Sequence, residues 1–62
     1  MAEKILVVED EPLVRQLLDL NLTRAGHPVE AVGDFPAGLA ALTRGGFGLA
    51  IIDAMLPGGG DG

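Results

Sequence analysis

"ILVVEDEP", residues 5–12, decides the fold. Ile5 to Val8 form a run of β-favouring residues with no polar interruption, which reads as a strand covered on both faces, the habit of an inner strand in a parallel sheet. Glu9, Asp10 and Glu11 follow at once. Like charges in consecutive positions repel, so their place at a strand end calls for a cation. Pro12 suits the first turn of a helix, the acids beside it lie where a helix N-terminus favours negative charge, and Gly26 supplies a C-terminal cap; together they predict a helix over 12–25. At 100° per residue, Val14, Leu17, Leu18, Leu22 and Ala25 fall within an arc of about 140°, with Arg15, Gln16, Asp19 and Thr23 on the other side. The first set is expected to face a sheet and Arg15 to point away from it. Asn21 interrupts the arc, and Leu13 and Leu20 lie outside it.

Beyond the turn, VEAV at 29–32 is short and carries Glu30 in its middle, which suits an edge strand. Asp34 can cap a second helix with Pro36 in its first turn; Leu39, Ala40, Ala41 and Leu42 supply its apolar content, and Gly45 and Gly46 end it. Gly38 weakens that helix. Leu49 to Ile52 is again a fully apolar run, read as a strand buried on both faces, and it too ends in an acid, Asp53. The alternation is β-α-β-α-β, an α/β pattern with parallel strands and right-handed crossovers. An edge-like second strand gives the order 2-1-3, with a topological switch between strands one and three. The helices leave that switch on opposite faces and open a crevice at the C-terminal ends of those two strands. Asp10 and Asp53 both belong there.

Length and composition narrow the function. Sixty-two residues make one small domain, 1–62, and 48% hydrophobic content is that of a packed core, not of a disordered tail. Nine acidic against four basic residues give a net charge of −5, which speaks against a nucleic acid as partner. No cysteine is present, so disulfides and thiolate metal sites are excluded. The start, MAEKILVV, is too short in its apolar run for a signal peptide or a membrane span, so no membrane role and a cytoplasmic location are expected.

Carboxylate oxygens are hard donors, and a few of them converging beside a backbone carbonyl suit Mg²⁺, which takes only one or two carboxylates and keeps several waters. Repulsion among Glu9, Asp10 and Asp53 is tolerable in a crevice open to water and is relieved by a divalent cation. An ionised Asp beside such an ion can attack a phosphoryl group. Other motifs carry less. His27 in GHP reads as a turn residue, and Asn21-Leu22-Thr23, although it matches a glycosylation pattern, lies inside a helix. The closing GGGDG lacks the Gly-Lys-Ser/Thr ending of a phosphate loop, and no glycine fingerprint follows strand one.

ILVVEDEP before a helix, and a later strand delivering IIDAMLPGGGDG, resemble the first half of the receiver domain of bacterial two-component response regulators. The resemblance spans essentially the whole chain and implies a flavodoxin-like, three-layer αβα architecture, cut here to β-α-β-α-β. It also implies roles. Asp53 matches the phosphoacceptor, Asp10 the direct Mg²⁺ ligand, Glu9 the second acid, Met55 the residue whose backbone carbonyl completes the metal site, and Pro57 the loop proline. The implied donor is a phosphohistidine on a sensor histidine kinase, and the domain is a phosphoacceptor, not an enzyme with turnover. Between Pro57 and Gly62 the loop carries one residue more than the family pattern, which leaves the metal site intact and the next helix start in question. A receiver continues for about as long again, with a hydroxyl residue after its fourth strand and a lysine after its fifth, so a truncated acceptor, inactive or weakly active, is expected. Lys4 lies about 20 Å from Asp10 along strand one, at the wrong end of the sheet. Arg44 ends the second helix, also away from the crevice. An apolar third strand with no neighbour is expected to drive self-association. Two other readings differ in class: a receiver-like interaction module that is not phosphorylated, and a Mg²⁺-dependent phosphatase with Asp53 as nucleophile. Against the second, position 55 is Met where such sites want another acid.

Overall fold

The computed structural model describes residues 3–53, with side chains through Ile52. Met55, Pro57 and the glycine-rich close lie outside the described residues. Five elements follow one another: β1 (Ile5–Glu9), α1 (Pro12–Arg24), β2 (Val29–Val32), α2 (Phe35–Arg44) and β3 (Leu49–Asp53). The strands form one parallel sheet in the order β2-β1-β3. This is the expected fold, a receiver-type β-α-β-α-β unit with its switch between β1 and β3.

Every residue of β1 is buried, Leu6 and Val7 completely. Leu6 and Val8 join Ala41 of α2 in the core, with Val32 and Phe47 packed against them. The remaining β1 residues, Ile5, Val7 and Glu9, project to the opposite face by the alternation of the pleat. Gly38 is what lets α2 come so close. It is buried, and a Cβ there would lie 2.7 Å from Val8 Cγ2. The residue that weakens the helix as an isolated segment is therefore the one that seats it on the sheet.

Both helices begin and end for identifiable reasons. Pro12 opens α1, and its C-terminus closes with a Schellman pair, Gly26 N–H to the Thr23 carbonyl at 3.0 Å and His27 N–H to the Leu22 carbonyl at 3.1 Å. Asp34 caps α2, its Oδ1 accepting the Ala37 N–H at 2.8 Å, and Gly45 returns its own N–H to the carbonyls of Ala41 and Leu42. Glu30 on β2 is held from two sides, by Lys4 at 3.7 Å and by a closer contact with Arg44, while the Lys4 ammonium also lies 5.1 Å from the centre of the Phe47 ring. Glu30 thus finds partners across the edge strand that the sequence assigned to it.

Two expectations need correction. No residue of α1 is fully buried, and the positions it turns inward are Arg15, Leu18, Asp19 and Leu22, a stripe at i, i+3, i+4 and i+7. Of the predicted face only Leu18 and Leu22 belong to it; Leu17 is 60% exposed, and Val14 and Ala25 are exposed as well. Leu13, Leu17 and Leu20 form a second apolar stripe at i, i+4 and i+7, and a wheel drawn from hydrophobicity alone averages the two. The third strand also differs from its reading. Leu49 and Ile52 are each half exposed because no strand lies on their outer side among the described residues and α2 packs over β1.

Candidate functional site

The parallel register runs Ile5 to Leu49, Leu6 to Ala50, Val7 to Ile51, Val8 to Ile52 and Glu9 to Asp53. Strand partners lie about 5 Å apart, so the register sets residue 53 beside residue 9, one position from Asp10. All three acids stand at the C-terminal rim of adjacent strands, on the two sides of the topological switch where ligands enter sheets of this kind. Asp53 is described by its backbone alone, and Met55 lies outside the described residues.

The run of acids does not share one environment. Glu9 is 1% exposed, and its Oε2 accepts the Glu11 N–H at 2.8 Å. This bond tightens the turn between β1 and α1 and meets one of the amide hydrogens that a helix start leaves over. Glu11 occupies the N-cap of α1 but makes no side-chain capping bond, and Asp10 and Glu11 are both exposed. The repulsion within the run is therefore eased by geometry as well as by water: one carboxylate is drawn inward onto the turn, and the other two face out.

Arg15 was expected to point away from the sheet, and that expectation is overturned. Its Nη1 donates to the Glu9 carbonyl oxygen at 3.1 Å. Side chains on a helix tilt toward its N-terminus, so a long side chain in the first turn can reach back over the end of the preceding strand. That tilt is the signal a helical wheel omits.

The donor set fits a hard divalent cation. Asp10 presents an exposed carboxylate, Glu9 a second acid, and the register brings a third acidic residue alongside them. Mg²⁺ needs no more than one or two protein carboxylates when water fills its remaining positions. Among the described residues no three His, Cys, Asp or Glu side chains converge as a metal cluster, Asp53 not being among the side chains described. No described helix is long and apolar enough to cross a membrane.

The family described as response regulator receiver domain matches residues 5–62. The chain is 46% identical over 55 residues to the transcriptional regulatory protein TcrA of Mycobacterium tuberculosis, covering 89% of this chain and 22% of TcrA. It is 44% identical over 55 residues to the transcriptional activator protein PfeR of Pseudomonas aeruginosa, covering 89% of this chain and 18% of PfeR. The response regulator protein FleR of the same organism is 41% identical over 58 residues, which are 94% of this chain and 12% of FleR. The chain thus spans a quarter or less of the length of these relatives. No solved structure matches it.

Proposed function

The chain belongs to the response regulator receiver domain family, and on that premise we propose that it is a phosphoacceptor in two-component signalling, with Asp53 taking a phosphoryl group from the phosphohistidine of a sensor histidine kinase. An Asp53 oxygen attacks phosphorus, the phosphorus–nitrogen bond breaks, the imidazole leaves with its proton restored from water, and an acyl phosphate remains on the protein. Asp10, Glu9, Asp53 and the backbone carbonyl of Met55 are the groups we assign to Mg²⁺. The ion supplies neutralisation of charge on the transferring oxygens. The chain's own part is to hold Asp10 and Asp53 on neighbouring strand ends, so that nucleophile and metal ligand meet without a search through loop conformations.

A single observation carries this reading: the parallel register that pairs Glu9 with Asp53 and leaves Asp10 next in line. A phosphatase using the same nucleophile would want an acid two residues on, where the sequence has Met55. Incubation with acetyl phosphate and Mg²⁺, read by intact mass, tests the proposal. We expect slow addition of one phosphoryl group, lost with EDTA and in Asp53→Asn. Slow labelling is expected because Lys4 and Arg44 meet each other at Glu30 and are not available to the crevice. No labelling of the wild type, or equal labelling of Asp53→Asn, overturns it.

A further inference from the structure

Resting on that reading, we propose that Arg15 is the positioning residue of the acidic crevice: seated against Gly33, it holds through the Glu9 carbonyl the turn that presents Asp10.

The Ile5 N–H donates to the Pro28 carbonyl at 2.8 Å, so by the alternation of a parallel ladder Ile5, Val7 and Glu9 turn their peptide groups toward β2. The register between these strands ends at Val8 with Val32. The Glu9 carbonyl therefore lies one step past the last paired residue, and the Arg15 guanidinium supplies its donor. Buried backbone acceptors are paired almost without exception, so this bond ends the ladder in place of a further strand residue. Glu9 is thus fixed through its carbonyl and Glu11 through its N–H, which bonds the Glu9 side chain. Asp10 is the residue between those two restraints, and it is exposed. Its backbone is pinned on both sides while its carboxylate stays open to solvent.

Gly33 is the seat. A Cβ at this position would lie 2.6 Å from Arg15 Nη1. The guanidinium, the flexible end of its side chain, would have to shift to admit such a methyl group, and its bond to the Glu9 carbonyl shifts with it, which couples positions 15 and 33. A guanidinium also carries a permanent positive charge. As a mere neighbour it would repel Mg²⁺, and its removal would tighten the metal; as a positioning residue its removal must loosen it. The sign of the change separates the two roles.

The test is a Mg²⁺ titration of the chain followed through the amide resonances of Asp10 and Glu11, using Arg15→Ala, Arg15→Lys, Gly33→Ala and the double variant Arg15→Ala with Gly33→Ala. Arg24→Ala, at the far end of α1, serves as a control for the loss of one positive charge. We expect Arg15→Ala to weaken Mg²⁺ about tenfold, in line with the loss of other groups that orient a ligand. Gly33→Ala should weaken it comparably in the wild type and add nothing to Arg15→Ala. Arg24→Ala should stay within about twofold, since solvent and salt screen a distant exposed charge. Tighter binding in Arg15→Ala, or additive effects at 15 and 33, overturns the proposal. Arg15→Lys and Gly33→Ala keep the test open should the alanine variant at 15 not fold. A wild type that binds no Mg²⁺ sinks the proposed function instead, and the metal-free urea midpoints of the single and double variants then decide Arg15: non-additive midpoints support the seat, and additive ones refute it.

Discussion

Asp34 does for α2 what no side chain at the N-cap does for α1. Its Oδ1 accepts the Ala37 N–H at 2.8 Å, the bond a cap residue makes to the third helical amide. Replacing it with alanine removes that acceptor and should lower stability by about 1 kcal/mol, while serine should retain most of it. Urea unfolding of the two variants checks this; an alanine variant as stable as the serine one would mean that water caps the helix equally well. At the start of α1 the Glu9 carboxylate, two residues before the N-cap, supplies an acceptor instead, taking the Glu11 N–H. The sequence located the acids. It did not divide them, because whether Glu9 turns inward depends on a turn whose hydrogen bonds are not written in residue order.

Among the elements, α2 shows how packing overrides propensity. Gly38 in a helix interior is unfavourable by about 1 kcal/mol relative to alanine. A methyl group there would meet Val8 Cγ2 at 2.7 Å, and Val8 is a stiff, β-branched side chain on the central strand, so α2 itself would have to shift. Strain of this kind costs about 1–3 kcal/mol and outweighs the gain in propensity. Gly38→Ala is therefore expected to lower the unfolding midpoint; a higher midpoint would show that α2 slides off Val8 without loss. The same competition governs α1. Its charged stripe and its apolar stripe overlap in sequence, and the helix turns Arg15 and Asp19 inward with Leu18 and Leu22, leaving Leu13 71% exposed.

For the molecule as a whole, what stands out is apolar surface left open. Leu39 is 67% exposed, and Phe35, Leu39, Leu42 and Ile52 line a groove of about 470 Å³ between α2 and β3. Beside it runs the outer edge of β3, with Leu49 and Ile52 half exposed. An apolar strand edge is a template for pairing with another chain. The apparent mass of the 62-residue chain by light scattering should accordingly rise with concentration, and Leu49→Lys should suppress the rise, since a lysine on an edge opposes pairing. A mass that holds constant with concentration, together with a sharp melt, would contradict this.

The sequence by itself determined the order of elements, the parallel sheet with β1 at its centre, and the placing of Glu9, Asp10 and Asp53 at one rim. Each of these follows from local pattern: unbroken apolar runs, a proline and a glycine at the helix ends, and acids directly after strands. Only the tertiary structure decided which face α1 turns inward, that Arg15 reaches back to the Glu9 carbonyl over Gly33, that Glu9 is buried while Asp10 is not, and that Gly38 seats α2. These are contacts between segments distant along the chain. Their outcome depends on how two surfaces fit, and a pattern read one segment at a time contains only one of the two.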